Sequence, residues 1–201
     1  MATNVERNLV ESNIAIATRL WAGATVFFFL GPFFAYVYLR SLDSAGMWRP
    51  AGLDPPQGFG AAIVLLTVAS AVALVLASRA WGSPRGRASL PLVAVALVLG
   101  LGAVALQIAE YAQLGFGPTD GGYASVFVAW TGLAALFTLV TMVWLETVLA
   151  YCLRSGRRTS IEADDLDSPA AFVGPRLAAL GFYWAFLAGL SVVMWIVLYL
   201  F

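Results

Sequence analysis

The sequence contains no histidine and no lysine, and its only cysteine is Cys152. Without histidine the chain cannot build a Ser-His-Asp triad, a histidine-ligated haem, or a histidine-based zinc or copper site. The missing lysine excludes a Schiff-base nucleophile and a P-loop. One cysteine gives neither an internal disulfide nor a thiolate cluster. We therefore expect no catalytic residue, no metal and no cofactor in this chain.

Charge is also scarce. Charged residues make up 11% of the 201 residues, against a usual share of roughly 25% in globular proteins. Apolar residues make up 61%, and the mean hydropathy is +0.87. A soluble protein of this size cannot bury so much apolar surface, and a disordered chain needs low hydrophobicity. The formal net charge is zero, which argues against a nucleic acid as partner. The composition predicts an all-α integral membrane protein.

Five long stretches carry no Arg, Asp or Glu: residues 20–39, 55–78, 88–109, 121–145 and 177–201. A helix needs about 20 apolar residues to cross the core of a bilayer, and each stretch reaches that length. We therefore predict a bundle of five transmembrane helices forming a single transmembrane domain, 1–201. The predicted spans lie near residues 16–40, 58–79, 90–114, 123–152 and 177–201. The first span is too long for a cleaved signal peptide.

The distribution of arginine predicts the orientation in the membrane. With five spans, the N-terminus lies on the same side as the second and fourth loops. That side holds nine of the 11 arginines, and the other side holds only Arg40 and Arg49. Because cytoplasmic loops carry the excess of positive charge, we predict a cytoplasmic N-terminus and a C-terminus, Phe201, on the outer face.

Ionisable residues inside membrane spans are candidates for function. Glu110 is expected near the outer interface and Glu146 near the inner one. Each carboxylate is interpreted as a group that reaches interfacial water or pairs with an arginine. The alternative is a proton relay, which would need a row of titratable groups across the membrane. Interfacial polar or lipid contacts are predicted for six residues: Glu110, Tyr111, Glu146, Arg79, Arg85 and Arg87.

Small residues recur every four positions in the fifth span, at Gly181, Ala185 and Gly189. This spacing places them on one helix face, and small residues allow two helix backbones to approach closely in a membrane. We call these three residues the seam. We predict that the seam packs against a neighbouring helix of the same bundle rather than against lipid.

Local patterns along the chain point to a family. The first span contains FFFLGPFFAYVYLR (27–40), and the following loop contains Trp48, Arg49, Pro50, Pro55 and Pro56. The third span ends in LQIAEY (106–111), the fourth begins with YASVF (123–127) before Thr131 and Gly132, and the fifth carries FYW (182–184) and Tyr199. In this order they resemble subunit III of haem–copper terminal oxidases of the cytochrome c oxidase type, in the bacterial form that lacks the first two of seven helices.

The resemblance implies a non-catalytic subunit of a complex in aerobic respiration. Haem and copper would then lie in partner subunits, and the partners would be oxidase subunits I and II together with membrane phospholipid. The chain would brace subunit I in the inner (plasma) membrane of a bacterium. Alternative functions are a subunit of a related nitric oxide reductase or quinol oxidase, or a small stand-alone membrane transporter.

The chain departs from the family pattern at its polar positions. The family's glutamate in the first helix falls on Thr25, and two family histidines fall on Ala134 and Phe137. The histidine and aspartate of the last helix fall on Ala185 and Ala188. Roles that depend on those groups, such as proton uptake or headgroup binding inside the bundle, are therefore not expected here.

Overall fold

The computed structural model describes residues 2–43, 46, 48–50, 52–81, 89–155 and 173–201. Within these residues the chain forms helices and no strand. The helices are α1 (Ala2–Ser41), α2 (Gln57–Trp81), α3 (Ser89–Gln113), α4 (Gly122–Ser155) and α5 (Val173–Trp195), which continues into a π-helical turn, Ile196–Leu200. All five α-helices are long and apolar enough to cross a membrane. The predicted all-α fold with five spans is confirmed.

Prolines and a glycine mark where the helices begin on one side of the bundle. α2 starts directly after Pro55 and Pro56. In its first turn the backbone amide of Phe59 donates a hydrogen bond to the carbonyl of Pro56 at 3.0 Å. α4 follows Gly121, whose φ of 145° is favoured by glycine. Pro32 lies inside α1. It removes one backbone donor from that helix, which continues to Ser41.

The helices alternate in direction, so the bundle has two faces. We call the face that carries the loops 42–56 and 114–121 and residue Phe201 the C-terminal face. The N-terminal face carries the end of α2 and the beginnings of α3 and α5. α5 packs against α1, α2 and α4, while α3 lies between α2 and α4. This arrangement places α5 against most of the bundle.

One apolar core runs through all five helices. Small side chains bring α2 and α3 together, and Ala77 and Ala96 have no exposed surface. The largest fully buried side chains are Trp184 and Tyr183 on α5 and Tyr123 and Phe127 on α4. Large apolar side chains such as Phe27 and Leu65 point outward, with 77% and 69% of their surface exposed. An outer surface of this kind suits a protein surrounded by lipid.

Two polar contacts connect α5 to its neighbours inside the core. The Ser70 hydroxyl on α2 donates to the carbonyl of Ala96 on α3 at 2.6 Å and accepts from Trp184 Nε1 on α5 at 2.9 Å. The Tyr183 hydroxyl shares a hydrogen bond of 3.1 Å with Thr25 Oγ1 on α1. Buried polar groups need such partners because they have lost water. These bonds therefore fix the position of α5 against α1 and α2, and Ser70 joins α2 to α3 at the same point.

Candidate functional site

The carboxyl group of Glu110 lies at the centre of a buried polar network near the C-terminal face. Glu110 has no exposed surface. Its carboxyl oxygens accept hydrogen bonds from Tyr199 Oη at 2.5 Å and from Gln107 Nε2 at 2.6 Å. No arginine in the described part of the chain forms an ion pair with it. For Glu110 an interfacial polar or lipid contact was predicted, and the lipid alternative is wrong because the end of α5 covers the carboxyl group.

Tyr199 reaches Glu110 from the π turn that ends α5. Only 4% of Tyr199 is exposed, and its ring packs edge-on against Phe127 with 5.4 Å between the centroids. Gly60 on α2 makes room for the ring, because a Cβ atom at this position would overlap the Tyr199 ring. The network therefore brings together α2, α3, α4 and the end of α5.

Tyr123, at the start of α4, connects the same end of α5 to the 42–56 loop. Its hydroxyl donates to the carbonyl of Leu198 at 2.6 Å, and its backbone amide donates to the carbonyl of Trp48 at 3.2 Å. The guanidinium carbon of Arg49 lies 4.5 Å from the centroid of the Tyr123 ring, a cation–π contact. Arg49 also donates to Asp54 at 2.8 Å. The described part of the 42–56 loop thus packs on the C-terminal face.

Tyr111 lies beside the network, half-buried on α3. Its hydroxyl shares a hydrogen bond of 2.7 Å with Thr131 Oγ1 and lies 3.4 Å from the carbonyl of Val128, both on α4. A Cβ atom at Gly132 would stand 3.4 Å from this hydroxyl. Tyr111 therefore links α3 to α4 through its polar end. A lipid contact of its ring stays a prediction.

The other predicted contact residues lie away from this network. Glu146 is exposed on α4, and Arg79 is exposed near the end of α2 at the N-terminal face. Arg85 and Arg87 lie outside the described residues. The structure therefore does not bring the six predicted residues together in one site.

The seam divides into a buried part and an exposed part. Gly181 is buried against α2, where an added Cβ would stand 3.6 Å from Ser78 Oγ. Ala185 and Gly189 are exposed and border an apolar groove of about 450 Å³ between α2 and α5. The prediction that the seam packs inside this bundle is therefore wrong for Ala185 and Gly189. A Cβ atom at Gly189 would meet no atom within 4 Å, so the groove is open there.

The polar network positions the helices that meet at it. It contains the carboxyl group of Glu110, the amide of Gln107 and the phenol of Tyr199. No group of three or more Cys, Asp or Glu side chains that could hold a metal occurs within the described ranges. Gln107 and Glu110 could be paired from the sequence, because residues three apart share a helix face. Tyr199 and Gly60 were missed as their neighbours, since no sequence signal connects positions so far apart.

Comparison with known proteins identifies a family and several relatives of the chain. The family model described as cytochrome c oxidase subunit III matches residues 4–201. Relatives named cytochrome c oxidase subunit 3 include those of Cyprinus carpio, 31% identical over 150 residues, Latimeria chalumnae, 29% over 150, and Ornithorhynchus anatinus, 29% over 147. These alignments cover 70–72% of this chain and 56% of each relative. The chain thus spans little more than half the length of the curated relatives it matches.

Proposed function

The chain belongs to the cytochrome c oxidase subunit III family, and we propose from this that it is a non-catalytic subunit of a haem–copper oxidase in aerobic respiration. The observation that carries the proposal is the family match over residues 4–201. The chain's own donors do not fit haem or copper, because it has no histidine and its single cysteine is buried. Under this proposal both cofactors are held by partner subunits of the electron-transport complex.

The proposed task of the chain is to brace subunit I, with subunit II as a further member of the complex. Four helices meet at the Glu110 network, and Thr25 and Ser70 fix α5 to α1 and α2, while Ser70 also bonds to α3. These bonds support a bundle that keeps its shape while a larger partner packs on its outer surface. All five helices share one core, which supports a single transmembrane domain over residues 1–201.

We propose that the groove between α2 and α5 receives a helix of the partner subunit. Ala185, Ala188 and Gly189 supply the floor on the α5 side. Helices associate in lipid through close packing rather than through a hydrophobic force, and small residues allow that approach. The seam would then make two kinds of contact. Gly181 packs inside the bundle, and Ala185 and Gly189 pack against the partner.

Phospholipid is the second proposed partner. Arg79 borders the same groove near the N-terminal face, where an exposed cation attracts anionic headgroups. Arg85 and Arg87 follow in the sequence and add to the same positive charge. This distribution supports a cytoplasmic N-terminal face in a bacterial inner membrane.

Purification of the affinity-tagged chain from its native membrane tests the proposal. We expect haem absorbance to co-purify with the chain, together with oxygen consumption driven by reduced cytochrome c. Consumption driven only by quinol, or reduction of nitric oxide, would instead assign the chain to a related complex. A chain that purifies intact but without any haem would contradict the proposal and favour a stand-alone transporter.

A further inference from the structure

A small pocket lies among α2, α3, α4 and α5, on the inner side of the Glu110 network. The centre of a water molecule has about 20 Å³ of room in this pocket. Roughly 10–15 Å³ measured in this way is enough to hold one water molecule. Four polar side chains from four helices line it: Thr67, Gln107, Thr138 and Ser191. All four are buried. A pocket of this size with so many polar walls differs from the dry cavities of apolar cores.

The polar atoms of the pocket have unused bonding capacity. Thr67 Oγ1 donates to the carbonyl of Ile63 at 2.8 Å, and Ser191 Oγ donates to that of Leu187 at 3.0 Å. Each oxygen keeps lone pairs that can accept another hydrogen bond.

The other two side chains are less satisfied. Gln107 uses its amide nitrogen for Glu110, which leaves its carbonyl oxygen as an acceptor. Thr138 is 8% exposed, and its hydroxyl has no hydrogen-bond partner among the residues that the structure describes. This hydroxyl is therefore free to donate to a molecule in the pocket.

We propose that this pocket holds one ordered water molecule. The water accepts a hydrogen bond from the Thr138 hydroxyl and donates two, to the oxygen of Gln107 and to a hydroxyl of Thr67 or Ser191. It thereby has three partners, the usual number for buried water. Through Gln107 this water extends the Glu110 network from the C-terminal face into the interior of the bundle. The proposal concerns the chain's own interior and does not depend on the function proposed above.

The variant Thr138→Val tests the water through the sign of a stability change. Valine has nearly the shape of threonine but no hydroxyl. If the water is present, the variant removes one of its partners, and the unfolding midpoint should fall by roughly 2–4 °C, the shift expected of a typical hydrogen bond in a chain of this length. If the pocket is dry, the variant removes a hydroxyl that bonds to no described residue, and the midpoint should rise or stay unchanged, which would overturn the proposal.

Thr141→Val is the matched control. Thr141 is 1% exposed on the same helix, and its hydroxyl donates to the carbonyl of Phe137 at 2.7 Å. Because this carbonyl is already part of the helix, loss of the Thr141 hydroxyl should change the unfolding midpoint little. The fall for Thr138→Val should exceed that for Thr141→Val.

Radiolytic labelling gives a readout that does not depend on stability. A short X-ray pulse generates hydroxyl radicals from water, and bound water oxidises the side chains next to it. Met194 lines the pocket, whereas Met142 lies outside it. Both are buried, with exposures of 4% and 1%. We expect several-fold more sulfoxide at Met194 than at Met142 in the intact protein, and loss of this excess in Thr138→Val. Equal, low oxidation of both methionines would contradict the proposal.

Discussion

Gly60 is a residue with a strict steric requirement. A methyl group at this position would overlap the Tyr199 ring, and the ring cannot move without losing its 2.5 Å hydrogen bond to Glu110. We expect Gly60→Ala to lower the free energy of unfolding by about 1–3 kcal/mol, the range for overpacking. Denaturant unfolding of the purified protein measures this change.

Two other glycines serve as controls for this prediction. Gly58 lies in the same turn of α2 and has open space around its Cβ position, so Gly58→Ala should be nearly neutral. A methyl group at Gly100 would meet the end of Met142, a flexible side chain that adapts, and should give an intermediate loss. Equal losses in all three variants would show that the Tyr199 ring is not the obstacle.

Removal of the Tyr199 hydroxyl gives a second test at the scale of a single residue. Tyr199→Phe leaves the buried carboxyl group of Glu110 with Gln107 as its remaining donor. Loss of a hydrogen bond that satisfies a buried polar group costs about 1–3 kcal/mol, and we expect a loss of unfolding free energy in that range. Tyr38→Phe is the control because Tyr38 is 63% exposed on α1. If both variants unfold alike, Glu110 does not need the phenol.

The sequence predicts this site only in part. The presence of Glu110 in an apolar span marks it as a candidate, and its spacing from Gln107 places both on one helix face. Its burial was not predictable, because the group that covers it, Tyr199, lies 89 residues further along the chain. Hydropathy describes the stretch around a residue and contains no information on which helix end closes over it.

At the scale of the helix, hydropathy predicts spans better than helix ends. The predicted spans 58–79 and 90–114 differ from α2 and α3 by one or two residues at each end. α1 begins at Ala2 rather than near residue 16. Its 40 residues measure about 60 Å, roughly twice the apolar thickness of a bilayer. The polar residues before the span continue the helix without adding to the hydropathic signal.

Ser70 tests how three helices are held together. Ser70→Ala removes the acceptor of Trp184 Nε1 and the hydroxyl that joins α2 to Ala96 on α3. An unpaired indole N–H in the core costs about 1–3 kcal/mol, so α5 should loosen. Hydrogen exchange of the amides around Trp184 should become faster. Ser78→Ala is the control, since that hydroxyl donates only to Val75 O of its own helix; equal exchange in both variants would contradict this role.

The exposed part of the seam tests the proposed assembly. Ala185→Leu fills the groove between α2 and α5, and overpacking at a contact costs about 1–3 kcal/mol. We expect a lower yield of intact complex, with no loss of stability in the isolated chain because Ala185 is exposed there. Ala24→Leu, at an exposed alanine of α1 outside the groove, should leave the yield unchanged. Equal yields would show that no partner occupies the groove.

For the whole molecule, the predicted orientation is open to a direct test. The nine-to-two division of arginine between the two sides predicts a cytoplasmic N-terminus and an external C-terminus. A reporter enzyme that is active only outside the cytoplasm should be active when fused after Phe201. A cytoplasmic reporter fused at the same position should be inactive, and activity there would contradict the orientation.

Composition predicts the class of the whole molecule, yet it cannot predict which helices are neighbours. Leu74 and Leu76 on α2 show the reason: Leu74 is fully buried, and Leu76 is 47% exposed. Lipid chains are as apolar as leucine, so both faces of a membrane helix are built from the same residue types. Ser70 and Gly181 carry more information here, because both face other helices.

The five charge-free stretches also have an electrical consequence. Moving one elementary charge across a membrane is worth about 2.3 kcal/mol for every 100 mV of membrane potential. Residues 20–39, 55–78, 88–109, 121–145 and 177–201 carry no Arg, Asp or Glu, so the field acts on little charge in these helices. We expect the bundle to keep one conformation in energised and in de-energised vesicles. A spectroscopic probe on α5 that gives the same signal in both would show a subunit that does not respond to voltage.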